Sequence, residues 1–581
     1  MHDRDVLWYA EPARNWCEAL PLGNGRLGAM VFGGAPRERI QFNEETLWSG
    51  FPRDHTNPDA IRHLPPVRDA LFAGDYTLAD KIARQMQGPF TQSFLPCGDL
   101  FLESDQDDGN TTGYRRWLDL DTAVHHVTYG VGVHHYRREC FISSPANVLV
   151  LRLISDQVDG LNMRIRLESI LPSWVQLQGQ MLLLSGNAPE QADPHYIRSE
   201  HPIVYGPAGM TFAARVGVKI IGGSLHVHGN TFHVTGASEI ILLLCAATSF
   251  NGFDRSPVAQ GKDPLAITAR ILEAALPRAY EELLAEHLAE YQPRFRRVTL
   301  RLGNEEPRQL PTVERIAAYA QAPEPALAEL LFQYGRYLLI ASSRPHTQPA
   351  TLQGIWNQDI QPAWSSNYTI NINTQMNYWP AETTNLADCA TALFDFLQGL
   401  SVNGKKIAET NYGARGWCSH HNSDIWRHAA PAGNYGWGSP CWASFPLSGA
   451  WLCTHLWEHY SFGGDRDFLA RVAYPIMKGA AEFCLDWLID DGNGHLVTGP
   501  STSAENVFVT QDGVQGEVSM ATAFDMAIIG QHFENCIAAA AALDVDAPFA
   551  QRLSSARARL YPFQIGGQRR HPGVVARLGS G

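Results

Sequence analysis

Between residues 351 and 386 the chain reads TLQGIWNQDIQPAWSSNYTININTQMNYWPAETTNL. This sets Trp356, Trp364, Tyr368, Tyr378 and Trp379 among Asn357, Asn367, Asn371, Asn373, Asn377 and Gln375. An amide offers two donors and an acceptor, and a flat aromatic ring covers the C–H face of a pyranose, so the pairing is the chemistry of sugar binding. The competing use of such residues is a buried polar turn between helices. Asn371 and Asn373 are two apart and face the same way only on extended backbone. Residues 368–372 are aromatic and β-branched enough to be extended, and Asn373 is placed to cap a helix opening at Thr374.

Two further segments carry reactive groups. VTGPSTSAENVF (497–508) holds one carboxylate, Glu505, in a Gly/Ser/Pro loop. Hydrolysing a glycoside with inversion needs an acid for the leaving oxygen and, roughly 6.5–9.5 Å away, a group that directs water to the opposite face. Such an acid keeps its proton near neutrality when burial disfavours its charge. GWCSHHNSDIWR (416–427) adds His420, His421, Asp424, Trp426 and Arg427. The plainer alternative is that Asp424 and Arg427, three apart, pair structurally on a helix turn. Glu44 and Glu45, in ERIQFNEETLWSG (38–50), are carboxylates that composition alone admits as catalytic.

Residues 351–386 closely resemble NLQGxWN followed by PWSSNYTININTxMNYWPAExxNL, the core signature of glycoside hydrolase family 95, the inverting α-L-fucosidases. The 497–508 loop resembles the family's PSxSPEN, with Ala504 where Pro is usual, and the resemblance makes Glu505 the general acid. It assigns the water to Asn371 and Asn373, the second polarised by a more C-terminal Asp. The 416–427 segment resembles GWxxHHNTDIWR, implying sugar contacts through His420, His421, Asp424 and Arg427, with Trp426 or Trp437 as a stacking face; Trp356 and Asn357 complete the candidate binding set. The implied substrate is a terminal α-1,2-linked L-fucoside on a fucosylated oligosaccharide or a plant or host glycan. An α-L-galactosidase is a close alternative, since one hydroxymethyl group is worth only about 1–3 kcal/mol. Inverting phosphorolysis would need a cationic phosphate clamp near Asn373, and the central stretch has none. A catalytically disabled, truncated sugar-binding protein is the non-enzymatic alternative.

The elements that must position these residues fall into two patterns. Short alternating segments with Gly and Pro punctuation predict strands at 118–124, 134–142, 147–154, 180–185, 210–218 and 239–246. Helical spacing then appears at 267–275 and 283–291, interrupted at Pro277, followed by a short strand at 297–302 and an apolar face at Leu327, Leu330, Leu331, Tyr334 and Leu338. Further helices are expected at 388–412, 443–460, 465–489, 520–543 and 548–561. The fold class expected is multidomain: an N-terminal all-β super-sandwich (1–263), a helical linker (264–324) and an all-α (α/α)6-type barrel (325–581), incomplete and truncated. The pairs His125–His126 and His134–His135 cannot chelate a metal by themselves, because neighbours on a strand point to opposite faces.

At 581 residues the chain is too long for one core. Its 45% hydrophobic and 18% charged residues mark an ordinary globular protein. A net charge of 45 − 59 = −14, with no basic run, argues against nucleic acid or an anionic membrane as partner and fits a neutral glycan. Ten scattered cysteines indicate neither a zinc site nor a disulfide framework. No metal or organic cofactor is expected, and the oligomeric state is open. No signal peptide is visible in the opening MHDRDVLWYAEPARNW, so a cytoplasmic chain is expected as written, and a periplasmic or secreted one if the start codon is misassigned. The family resemblance ends near Ile565. Residues Arg569 to Val575 can be encoded so that reading one base later yields Gly-Gly-Ile-Gln-Glu-Trp, resembling the family's continuation. A frameshift near Gly566 is therefore expected.

Overall fold

The computed structural model describes residues 3–104, 111–157, 160–503, 505–510 and 512–564. The departure at Ala504 and the frameshift expected near Gly566 both lie outside the described residues. By compactness the chain divides into two interleaved units. The first comprises residues 1–52, 92–366 and 383–392; the second comprises 53–91, 367–382 and 393–581.

The first unit is an antiparallel β-sandwich. Among the described residues, one sheet of nine strands runs in the order Val6–Tyr9, Thr111–Asp119, Val124–Val131, His134–Ser143, Val148–Ser155, Glu239–Thr248, Thr211–Ile221, Met181–Asn187, Ser173–Gln178. The other, of seven, runs Ser224–His228, Thr231–Ala237, Leu161–Glu168, Gly98–Ser104, Arg37–Glu44, Leu27–Val31, Leu20–Gly23. Strand Leu161–Glu168 shows why the chain folds this way. Leu161, Met163, Ile165 and Leu167 are buried while the residues between them are not, the period of two that buries one sheet face.

The helices Pro264–Ala275 and Tyr280–Phe295 pack on the larger sheet. Leu272, Ala275, Tyr280 and Leu283 join Phe141, Val148, Val150, Ile241 and Leu243 in one apolar cluster. Each Leu, Val, Ile or Phe among them, fully buried, contributes roughly 1.5–3 kcal/mol. Asp263 caps the first helix, accepting from the N–H groups of Leu265 and Ala266.

Three local expectations are corrected. Residues 118–124 are the end of one strand, a turn and the start of the next: Asp119 pairs with Val124, and Ala123 takes a left-handed φ of 51°. The alternation survives because Leu118 and Leu120 are both buried on either side of the strand's end. Residues 297–302 form no strand, because side chains of the helix Pro325–Ser342 take up their backbone groups. Val298 O accepts from Gln333 Nε2 (3.1 Å) and Glu329 accepts from Leu302 N (2.7 Å). That helix keeps Leu330 buried and Leu327, Tyr334 and Leu338 partly buried, but departs from the expected face at Leu331. Leu331 is 71% exposed, while Glu329, Gln333 and Arg336 are buried because each is hydrogen-bonded, Arg336 Nη1 to Phe295 O at 2.6 Å.

His125 and His126 lie in one strand and His134 and His135 in the next; His126 stacks on Trp117. Glu44 and Glu45 are buried at the end of Arg37–Glu44, where Thr46 donates to Glu44 through both N–H and hydroxyl. Glu45 accepts from Gln348 N and lies 3.5 Å from Arg26 Nε. Burial, reinforced for Glu45 by its neighbour Glu44, raises both carboxyls above the usual range.

The second unit is helical. Residues 53–91, which precede strand Gly98–Ser104 in the chain, supply helices Ala60–Ala73 and Tyr76–Arg84. They pack with elements much later in the chain, as when Arg68 Nε donates to Gly499 O (2.9 Å), 431 residues on, and Gln87 Nε2 to Gly438 O (2.8 Å), 351 residues on. Helices Ser448–Gly463, Tyr474–Trp487, Ala523–Leu543 and Ala547–Arg557 pack side by side as the body of this unit.

Candidate functional site

The site residues of the second unit are carried on a short ribbon and two loops. Tyr368–Thr369 pairs antiparallel with Asn422–Ser423, and Ile370 N donates to His421 O at 2.7 Å, so the 367–373 and 416–427 segments are laced together. Extended backbone at Tyr368 to Ile370 then gives way to the helix Asn373–Tyr378. The expected cap at Asn373 is corrected: the helix begins at Asn373 itself, after Ile372, and no side chain caps it. Asn373 is half-buried, and among the described residues nothing bonds to its amide.

Asn371 is buried, and its Nδ2 donates to Glu505 Oε1 at 3.0 Å. One hydrogen bond thereby joins the two motifs, 134 residues apart in the chain. The amide's other atom, Oδ1, is buried without a hydrogen-bond partner among the described residues. Glu505 sits in a left-handed turn, φ 65°, its N–H donating to Cys441 O at 3.3 Å. The expected burial of this carboxyl is not found: the left-handed turn leaves Glu505 exposed.

The 416–427 segment divides by use. His420 is fully buried with both nitrogens engaged. Nδ1 lies 3.1 Å from Phe445 N and 3.2 Å from Ala443 O, and Nε2 lies 2.9 Å from Tyr412 Oη. His421 is buried with Nδ1 unbonded among the described residues, its ring 5.3 Å from that of Trp442. Burial pushes both imidazoles down to about 3, with His421 adding to the effect on His420, so both are neutral. Asp424 and Arg427 do not share a helix turn. They close a β-turn, Arg427 N donating to Asp424 O at 3.0 Å, with Arg427 in a left-handed φ of 59° that no helix accommodates. Asp424 Oδ1 accepts from Trp426 N, and the Arg427 guanidinium lies over Phe396. Trp426 is 1% exposed and offers no face, whereas Trp437 is 53% exposed and meets Phe90 edge-on.

Trp356 and Asn357 belong to the first unit. Trp356 Nε1 donates to Leu22 O (2.8 Å), and Asn357 Nδ2 donates to Phe94 O (2.7 Å) and Asp359 O (2.8 Å). Both side chains are buried in backbone contacts there. Among the described residues no cluster of three His, Cys, Asp or Glu is arranged to hold a metal.

Sequence reasoning missed Asp525. Its Oδ2 accepts from Thr498 Oγ1 and Ser501 Oγ, both at 2.7 Å. The signal was present: Thr522-Ala-Phe-Asp525 ahead of an apolar run is a helix N-terminus, and Thr522 does cap Ala523–Leu543.

Residues 279–570 match the glycosyl hydrolase family 95 catalytic domain, and residues 7–252 match the glycosyl hydrolase family 65, N-terminal domain. A β-sandwich of that kind, followed by a helical unit that sets an amide against a loop carboxylate, is a glycoside hydrolase. The chain belongs to glycosyl hydrolase family 95. It is similar to Alpha-L-fucosidase 2 of Arabidopsis thaliana, 38% identical over 575 residues, which are 96% of this chain and 68% of the relative. It is also similar to Probable alpha-fucosidase A of Aspergillus niger, 31% identical over 512 residues, 84% of this chain and 61% of the relative. In fold it resembles a putative kojibiose phosphorylase from human microbiome, with a TM-score of 0.60 at 9% identity over 98% of this chain and 71% of that one.

Proposed function

We propose that this protein hydrolyses terminal α-L-fucosides, α-1,2-linked, with inversion at the anomeric carbon. The relatives from Arabidopsis thaliana and Aspergillus niger are named as fucosidases. The observation that carries the mechanism is the Asn371–Glu505 hydrogen bond. Glu505 is the acid that protonates the glycosidic oxygen. An amide can serve either of its protonation states: the NH2 group donates to the carboxylate, and the carbonyl, turned by 180°, accepts from the acid. A sugar seated over this pair would take the exposed carboxyl out of water, the condition an acid needs.

The water falls to Asn373 and to the free end of Asn371. Asn371 itself, in contact with Glu505 at 3.0 Å, stands closer than the roughly 6.5–9.5 Å between the two groups of an inverting enzyme, so the larger share of this task falls to Asn373. The amides orient that water and are too weakly basic to take its proton. His421, neutral and with an unbonded buried nitrogen, is suited to a sugar hydroxyl, and Trp437 to a ring face.

The test is release of L-fucose from 2′-fucosyllactose, with the first anomer formed followed by NMR. β-L-Fucose appearing first is expected, and α-L-fucose would refute inversion. Glu505→Gln should lower kcat by about 100-fold or more, the usual contribution of a general acid. Failure of the unsubstituted chain to release fucose overturns the fucosidase reading.

A further inference from the structure

Asp525 is the most deeply placed carboxyl near the acid loop that the mechanism above does not use. It is 1% exposed, at the third position of the helix Ala523–Leu543. Its Oδ2 takes two hydroxyl donors, Thr498 and Ser501, from the loop that leads to Glu505, while Oδ1 has no hydrogen-bond partner among the described residues. No ion pair with Asp525 is found among those residues. For stability alone an acid is a poor occupant of such a place.

The contacts around it form a clamp. Ser501 Oγ donates to Asp525 and accepts from Thr522 N at 3.2 Å. Ser501 and Ser519 exchange backbone hydrogen bonds, 2.8 Å each way, and Ala521 N donates to Thr498 O at 3.0 Å. Thr522 Oγ1 donates to Thr502 O at 3.2 Å, and Thr502 Oγ1 in turn to Ser444 O at 3.1 Å. The loop is therefore laced at 498, 501 and 502, ahead of Glu505. The one backbone tie of Glu505 itself among these contacts is the longer bond to Cys441 O. A carboxylate oxygen can accept two hydroxyls at once from fixed directions, which a packing residue cannot do.

We propose that Asp525 is a positioning residue for the general acid: it locks residues 498–502 so that Glu505 meets the leaving oxygen. The inference rests on the reading of Glu505 as the acid, and the experiment separates the two. Protonation matters for a poor leaving group, the sugar alcohol of 2′-fucosyllactose, and hardly for α-L-fucosyl fluoride, whose fluoride departs without a proton. Loss of general-acid action therefore shows as a difference between the substrates, whereas general loosening of the fold lowers both.

Asp525→Ala is expected to lower kcat on 2′-fucosyllactose by about 100-fold and on the fluoride by less than about 5-fold, with KM little changed. Asp525→Asn, which keeps an acceptor oxygen for the hydroxyls, should recover most of the loss. Should Asp525→Ala fail to fold, the double variant Thr498→Val/Ser501→Ala, which removes both donors, carries the same expectation. Glu505→Gln is the reference and should show the same substrate split. If it does and the clamp variants lose activity equally on both substrates, the positioning role is refuted while the acid stands. A Glu505→Gln variant without the split overturns both.

Discussion

Replacing Asp525 by Asn should remove a pH dependence of stability that the original protein has. Burial pushes the Asp525 carboxyl up from 3.8 to about 6, against the pull of hydrogen bonds from Ser501 and Thr498. The folded value lies above the unfolded one, so the folded state holds the proton more tightly. The stability this confers is fully present below about pH 4 and is lost as pH rises through about 6. Two units at about 1.4 kcal/mol each make the cost of ionising this group in place about 3 kcal/mol. Asn does not titrate, and its carbonyl can still accept from Thr498 and Ser501. The Asn variant should therefore gain on the original by about 3 kcal/mol between pH 4 and pH 7.5, most of it between pH 4 and 6. Urea unfolding followed by tryptophan fluorescence at a series of pH values measures that difference, and titrations common to both proteins cancel. An infrared carboxyl band that disappears in the Asn variant would identify the group directly. A stability difference that stays flat with pH, or favours the original as pH rises, would refute the burial argument.

Two further changes test the packing that holds the site. Gly416 has a φ of +68°, and a Cβ there would stand 2.0 Å from Gly479 O, a backbone atom that cannot swing aside. Gly416→Ala should cost about 3 kcal/mol or more, seen as a lowered thermal midpoint, and unchanged melting would refute the clash. Tyr412→Phe removes the hydroxyl that pairs with His420 Nε2 and leaves that buried nitrogen without its partner. A loss of about 1–2 kcal/mol in denaturant unfolding is expected, and no loss would mean that the imidazole is oriented by other contacts.

What the sequence settles by itself is periodicity and chemical type. Short apolar segments between Gly and Pro punctuation marked strands such as His134–Ser143 and Glu239–Thr248, and the break at Pro277 separated Pro264–Ala275 from Tyr280–Phe295. The residue types of 351–386, 416–427 and 497–508 marked a sugar-handling site without any geometry. The tertiary structure decided which neighbours those patterns meet. Alternation cannot tell a strand from a hairpin whose ends bury the same face, so the turn after Asp119 was invisible. Hydrophobic spacing on Pro325–Ser342 pointed to Leu331 as well as Leu330, yet Leu331 is exposed and the polar Glu329, Gln333 and Arg336 are buried beside Leu330. Buried polar groups are chosen by distant hydrogen-bond partners, and Glu329 finds one in Arg4 at 2.9 Å, 325 residues away. The same cause governs the site. Whether Asn371 meets water, sugar or the acid is set by which loop the folded chain brings beside it, and that loop carries Glu505. Asp525, read locally, is one acidic residue in the first turn of a helix. Only the convergence of Thr498 and Ser501 on one of its oxygens makes it part of the acid's support, because a hydrogen bond depends on distance and direction, which no linear pattern contains.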